Sequence, residues 1–84
     1  MGDRPQDAVE ATATSIAVLE TLTDAPGPVG ITDLAAELDL AKSVVYNHVS
    51  TLRAEGYVAK RGTEYEPSAR ILALSDRIRR GFPV

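Results

Sequence analysis

The sequence contains no cysteine and no tryptophan, and it has a single histidine, a single methionine and a single phenylalanine among its 84 residues. Without cysteine the chain can form neither a disulfide nor a thiolate metal site. One histidine offers no metal-binding cluster, and no glycine-rich phosphate loop or nucleophile–base pattern accompanies it. The sequence therefore predicts a small domain held by aliphatic packing, with no metal, no cofactor, no catalytic residues and no enzymatic activity.

A long apolar run is also missing, because no segment approaches the roughly 20 apolar residues that a membrane-spanning helix needs. The N-terminal stretch MGDRPQDAVEATATS has neither the basic start nor the apolar centre of a signal sequence. Residues 1–7 are polar, include a glycine and a proline, and are expected to form a flexible N-terminus. These features predict a soluble, cytoplasmic protein without a membrane partner.

Basic residues are scarce in the first part of the chain. Residues 1–40 contain eight acidic residues and one basic residue, a net charge of −7, whereas residues 41–84 contain eight basic and four acidic residues, a net charge of +4. The total of −3 therefore hides a positive C-terminal part. Such a part is where a polyanion would bind.

Helical periodicity predicts two short helices around a tight turn. After a first helix over residues 8–23, residues 33–38 and 41–55 carry apolar side chains at a spacing of three and four, and they meet at Asp39–Leu40. Thr32 stands where it would cap the second helix. Two helices joined in this way form a helix-turn-helix, which commonly places its second helix in the major groove of DNA.

A β-hairpin is predicted after the third helix. Residues 57–60 and 64–66 flank the turn at Arg61-Gly62-Thr63, in which Gly62 supplies a permissive backbone. The extended piece at residues 29–31 is expected to pair with this hairpin as a third strand. The predicted fold is therefore mainly α with a small β-hairpin.

This order of elements is typical of a winged helix-turn-helix, with three helices and the hairpin as the wing. The pattern assigns residues 8–67 to a DNA-binding domain. Ser68 then caps a last helix over residues 69–80, so residues 68–84 are expected to form a linker or dimerisation helix and a tail.

The third helix separates an apolar side from a polar side on a helical wheel. Val45, Val49 and Leu52 cluster on the apolar side. The polar side holds hydroxyl and amide groups with a base at each edge, groups that hydrogen-bond base edges and phosphates. Lys60 and Arg61 at the wing are predicted to contact the DNA backbone or the minor groove. The predicted DNA-binding residues of the helix are Lys42, Ser43, Tyr46, Asn47, Ser50 and Arg53.

Other interpretations remain open for these residues. The polar side could be an ordinary solvated surface, and the ring of Tyr46 could cap the core while its hydroxyl stays wet. The lone His48 falls between the two sides of the wheel and is expected to be a half-buried packing residue, since no second histidine or cysteine suggests a ligand role.

The first and last helices carry apolar residues that have little surface to pack against within one small domain. We therefore expect them to pack across a two-fold axis in a homodimer. The predicted dimerisation residues are Ile16, Leu19, Ile71, Leu74 and Ile78.

Four stretches resemble the N-terminal domain of IclR-type transcriptional regulators when their order and spacing are considered together. They are SIAVLETL at 15–22, ITDLA at 31–35, KSVVY at 42–46 and LRAEGYV at 52–58. The resemblance covers about residues 13–80. It implies a winged helix-turn-helix that dimerises through its first helix and the helix after the wing, binds palindromic or near-palindromic double-stranded DNA, and precedes a larger effector-binding domain.

The chain departs from this pattern at several positions. The family commonly has glycine, proline, threonine and arginine where this chain has Asp39, Ala41, Val44 and Asn47. Because asparagine pairs best with adenine and arginine with guanine, the sequence that Asn47 would read cannot be taken from relatives. The effector domain is absent, so the chain is expected to be either an excised domain or a stand-alone DNA-binding protein. The chain ends just past the linker helix, which favours the excised domain, and an effector ligand is expected only if a longer regulator exists.

A second class of function is also compatible with the sequence. The acidic first half suggests a winged helix that binds protein within a transcription complex and makes no DNA contact.

Overall fold

Four helices and three short strands form the structure of residues 8–81, which are the residues that the computed structural model describes. The predicted flexible N-terminus at residues 1–7 and the last three residues of the predicted tail lie outside the described residues. The observed elements confirm the predicted winged helix-turn-helix. In chain order they are α1 (Glu10–Asp24), β1 (Val29–Gly30), α2 (Ile31–Leu38), α3 (Lys42–Ala54), β2 (Val58–Arg61), β3 (Glu64–Pro67) and α4 (Ala69–Gly81).

The three strands form one antiparallel sheet in the order β1-β3-β2. Val29 lies opposite Tyr65 and joins the hairpin to the segment before α2, so the predicted third strand is confirmed. Pro67 lies opposite Val58 at the last pair of the ladder, where its missing N–H costs no central hydrogen bond. The wing is thus tied to the segment that leads into the helix-turn-helix.

The core lies between the three N-terminal helices and the sheet. On α3 the core is formed by the side chains of the predicted apolar side. On α1 the core residues are Val18 and Leu22, whereas Ile16 stays 51% exposed. Four consecutive apolar residues at positions 16–19 leave the orientation of α1 undetermined by periodicity alone, and packing against α3 decides it. The buried residues are Val18, Leu22, Leu34, Ala35, Val45, Val49, Leu52, Val58 and Tyr65.

The start of α2 differs from the predicted one. Strand β1 runs directly into the helix, so that Gly30 occupies the N-cap position and no side chain caps α2. Thr32 lies inside the first turn and is exposed, and the prediction that it caps the helix is wrong. Ile31 packs against the core at this junction, and its burial replaces the capping hydrogen bond as the stabilising contact.

The turn between α2 and α3 depends on an unusual backbone conformation at Asp39. This residue ends α2 in the left-handed region, with φ 56° and ψ 49°, and it is the one non-glycine residue with positive φ among residues 8–81. Its backbone N–H donates to the carbonyl of Ala36 at 3.4 Å. A left-handed conformation strains most L-residues, and aspartate tolerates it better than others.

We expect Asp39→Gly to raise the free energy of unfolding by about 0.5–1 kcal/mol, because glycine adopts a positive φ without strain. Part of the gain is offset by the greater freedom of glycine in the unfolded chain. Thermal unfolding followed by circular dichroism measures the change. Ala36→Gly, at an exposed position inside α2, is the control and should lower stability by about 1 kcal/mol. Loss of stability in both variants would contradict strain at Asp39.

Candidate nucleic-acid interface

The polar side of α3 is open to solvent. Its opposite side is fixed by the buried Val45, Val49 and Leu52, which set the rotation of the helix about its axis. Of the predicted DNA-binding residues of α3, Ser50 is half-buried and the others are exposed; the exposed ones are Lys42, Ser43, Tyr46, Asn47 and Arg53. Tyr46 is 53% exposed, so its ring does not serve as a lid over the core.

A groove of about 320 Å³ separates α3 from the wing. Lys60 and Tyr65 are opposite each other in the β2–β3 ladder, so their side chains leave the same face of the hairpin, and that face turns toward α3. The α3 side is lined by Tyr46, Ser50 and Arg53. Two cations and three hydroxyl groups therefore line one groove, a set of donors that suits an anion or the acceptors of a base edge.

The cations beside this groove are not neutralised by the chain itself. Among residues 8–81, Lys42, Arg53 and Lys60 make no ion pair. All three are exposed. Their charges therefore remain available to an external anion such as a DNA phosphate.

Arg61 is placed differently from Lys60, although the sequence pairs them. Strand alternation directs Arg61 to the other face of the hairpin, where Glu64 and Glu66 also lie. The Nε–H of Arg61 donates to Oε2 of Glu66 at 2.9 Å, and Nη2 lies 2.8 Å from the same oxygen. The hydrogen bond to Glu66, and then its negative charge, raise the pKa of the Arg61 guanidinium above its ordinary value.

His48 connects α3 to α1. It is half-buried, as predicted, and its Nδ1 lies 2.7 Å from the hydroxyl oxygen of Ser15. The two residues are 33 positions apart in the sequence, so no local pattern could have identified the partner. This hydrogen bond couples the orientation of α3 to that of α1.

Two further residues lie on or beside this candidate surface and were missed by the sequence patterns. Tyr65 is only 5% exposed yet lines the groove, and alternation with Lys60 across the hairpin could have indicated it. Val44 is apolar and 39% exposed near the start of α3. A methyl group in that position is suited to contact with the methyl group of thymine.

A second surface joins α1 to α4. An open groove of about 510 Å³, lined chiefly by apolar groups, lies between these helices. It brings together four of the five predicted dimerisation residues: Ile16, Leu19, Ile71 and Leu74. Ile78, the fifth, lies further along α4 and is 60% exposed. The helix α4 buries none of its side chains against the rest of the chain.

The first turn of α4 is joined to the end of α3 by a cluster of contacts. The Ser68 hydroxyl accepts the Arg70 backbone N–H at 3.2 Å, which confirms the predicted cap, and it donates to the carbonyl of Gly56. The Ser68 N–H donates to the carbonyl of Tyr57 at 3.0 Å. The guanidinium of Arg70 lies 5.1 Å from the centre of the Tyr57 ring, a cation–π distance. These contacts fix the direction in which α4 leaves the domain.

Residues 8–81 form neither a metal-binding cluster nor a membrane-spanning helix. No group of three or more histidine, aspartate or glutamate side chains there could hold a metal ion. No helix in the same part of the chain combines the length and apolarity needed to cross a membrane.

Comparisons with known structures find the same fold in several solved proteins. An IclR family transcriptional regulator from Brucella abortus is 24% identical, with a TM-score of 0.80 over 93% of this chain and 30% of that chain. HmgR from Pseudomonas aeruginosa is 16% identical, with a TM-score of 0.79 over 89% of this chain and 32% of that chain. IclR from Thermotoga maritima is 19% identical, with a TM-score of 0.75 over 84% of this chain and 29% of that chain.

No curated protein gives a significant match to the sequence. The chain spans about a third of the length of these three proteins. At these identities the likeness establishes the fold alone, and the family assignment rests on the sequence. The family of IclR helix-turn-helix domains matches residues 13–62, from α1 to the turn of the wing. The chain therefore belongs to the IclR helix-turn-helix family, whose members are DNA-binding domains of transcriptional regulators.

Proposed function

We propose that this chain binds double-stranded DNA in a sequence-specific manner, with α3 in the major groove and the β2–β3 wing against the backbone or the minor groove. One observation carries the proposal. The exposed polar side of α3 continues into the groove that contains Lys60, and cations without an ion pair among the described residues border it. The major groove of B-DNA admits an α-helix, and a polar helix face flanked by cations suits it.

The roles within this interface follow from side-chain chemistry. Asn47 can make a bidentate hydrogen bond to adenine, and it is the proposed base reader. Ser43, Tyr46 and Ser50 supply hydroxyl groups for base edges or phosphates. The cations Lys42, Arg53, Lys60 and Arg61 are assigned to phosphates. Binding to DNA as a transcriptional regulator would place the protein in the cytoplasm.

We also propose that two copies bind together. The apolar side chains of Ile16, Leu74 and Ile78 are 51%, 41% and 60% exposed. Exposed apolar side chains of this size on one side of a small domain mark a surface suited to binding another protein chain. Pairing α1 and α4 across a two-fold axis would cover them and would present two reading helices to half-sites about 34 Å apart. Binding of a small-molecule effector is proposed only for a longer regulator that carries this domain.

The test of DNA binding is selection of bound duplexes from a random double-stranded library by the purified chain. We expect an enriched motif with two-fold symmetry, and fluorescence anisotropy should then show binding that weakens steeply with added salt. Failure to enrich any sequence, together with no binding at low salt, would exclude the proposal. Capture of a stable protein partner in that case would support the protein-binding alternative.

Substitutions in α3 should separate base reading from phosphate contact. We expect Arg53→Ala to weaken binding to the selected and to random duplexes by a similar factor, and to reduce the slope of log K against log salt by about 0.9 for each bound chain. Asn47→Ala should mainly reduce the preference for the selected duplex, by about 1–3 kcal/mol. Anisotropy titrations on both duplexes measure these effects.

Arg77→Ala is the matched control, because it removes an arginine from the exposed surface of α4, away from the reading helix. It should change affinity and salt slope little. An equal loss on selected and random DNA in Asn47→Ala would show that Asn47 does not read a base.

A further inference from the structure

We propose that Glu66 competes with DNA phosphate for Arg61, so that the wing arginine reaches DNA only by exchanging one carboxylate for one phosphate. Glu66 would then set the strength and the salt dependence of the wing contact. The inference rests on the proposed DNA-binding function, and it adds a residue of opposite charge to the set that determines affinity.

The geometry of the pair supports competition. Nε–H of Arg61 donates to Oε2 of Glu66 at 2.9 Å, and Nη2 lies 2.8 Å from the same oxygen, so one carboxylate oxygen occupies the Nε–Nη2 edge of the guanidinium. A phosphate bound bidentately along that edge would use the same donors, because arginine binds carboxylate and phosphate with the same fork of N–H groups. The two partners of Arg61 are therefore mutually exclusive at those donors.

The backbone makes Glu66 the fixed partner. Glu66 lies on β3, the central strand, which is bonded to β1 on one side and to β2 on the other. Arg61 is the last residue of β2, next to the turn of the wing, and its side chain is 70% exposed against 27% for that of Glu66. The arginine side chain can therefore swing toward solvent while the carboxylate stays at the sheet.

The charges of the wing show why this exchange matters. Lys60 and Arg61 carry two positive charges, and Glu64 and Glu66 carry two negative charges, so the hairpin is neutral as a whole. Arg61 shares one face with both carboxylates, whereas Lys60 faces α3. The face of the wing that turns toward α3 thus offers Lys60, which makes no ion pair among residues 8–81. The opposite face offers Arg61, which is paired with Glu66.

The test is anisotropy of a fluorescein-labelled random-sequence duplex of about 30 bp, titrated with the full chain between about 50 and 300 mM KCl. We expect Glu66→Gln to tighten binding about fivefold at the lowest salt, the order expected when the released Arg61 gains one contact of about 4 Å with a phosphate charge. The salt slope should steepen by about 0.9 for each bound chain, because Arg61 then contacts a phosphate throughout.

Glu64→Gln is the matched control. It removes the same charge from the same face, at the residue directly opposite Arg61 in the ladder and two positions from Glu66 along β3, and it leaves the ion pair between Arg61 and Glu66 in place. Its gain should stay below about twofold, and its salt slope should equal that of the unmodified chain. Thermal unfolding by circular dichroism checks that each variant is folded.

Removal of the arginine provides a test that does not depend on Glu66→Gln folding. In the unmodified chain Arg61→Ala should weaken binding by no more than about twofold, and Lys60→Ala by about fivefold. In the Glu66→Gln background Arg61→Ala should weaken binding about tenfold, which returns the double variant to within about twofold of the unmodified chain.

The possible outcomes are distinct. If Glu66→Gln binds no more tightly than the unmodified chain, or if Arg61→Ala has the same effect in both backgrounds, Glu66 does not compete with phosphate. A loss in Arg61→Ala as large as that in Lys60→Ala would also overturn the inference. If neither the unmodified chain nor any variant binds the duplex, the DNA-binding proposal itself is wrong.

Discussion

Replacing Leu74 by aspartate is expected to convert a dimer into a monomer and to weaken binding to a duplex with two half-sites by about 100-fold or more. Linking two reading helices makes the second contact intramolecular, and gains of this kind commonly reach about 10²–10⁴. Leu74 is 41% exposed and lines the apolar groove between α1 and α4 with Ile16 and Ile71. A carboxylate there would be buried without a partner in the dimer and solvated in the monomer.

The molecular mass in solution, measured by sedimentation, and the affinity for the selected duplex should change together. Because α4 buries none of its side chains within the chain, Leu74→Asp should leave the thermal stability of the isolated domain nearly unchanged. Ala73→Asp is the control, with the same new charge on the adjacent, exposed residue outside the groove. An unmodified chain that sediments as a monomer at every concentration would refute the proposed dimer.

Leu34→Ala is expected to lower the free energy of unfolding by about 3 kcal/mol and the melting temperature by about 12–24 °C. Leu34 has no exposed surface and is among the largest fully buried side chains of the chain. The whole stability of a domain of 84 residues is about 4–13 kcal/mol, so this loss removes a large fraction of it. DNA binding at 37 °C should weaken in proportion to the population that is unfolded.

Urea denaturation followed by circular dichroism measures the effect. The control is Leu72→Ala, which makes the same chemical change at a side chain that is 69% exposed, and it should shift stability by less than about 0.5 kcal/mol. Equal losses in the two variants would mean that burial does not determine the contribution of these leucines.

The elements of the fold followed from local patterns in the sequence. The spacing of four and three residues between Val45, Val49 and Leu52 predicted that one side of α3 lies in the core, and the structure buries that side. Gly56 and Gly62 stand at the end of α3 and in the turn of the wing, and both adopt a positive φ, of 89° and 65°. Such signals act within a few residues, so one sequence is sufficient to detect them.

The remaining features depend on packing between distant segments. The four apolar residues at positions 16–19 could not fix the rotation of α1, which α3 and the sheet determine. The contact between Ser15 and His48 is likewise set by how two helices meet. The pair Arg61–Glu66 lies between these two cases. Strand alternation places both residues on one face once the register of the hairpin is known, but the register itself depends on where the two strands end, which the structure shows.

The joint at Ser68 has a geometric consequence for any pair of these domains. Helix α4 has 13 residues and is about 20 Å long, and it is held by the domain at its first turn. It acts as a lever whose pivot is Ser68, so a rotation of about 10° there moves its far end by about 3 Å, close to the rise of one base pair. In the proposed dimer, the stiffness of this pivot would decide how much variation in half-site spacing the two reading helices tolerate.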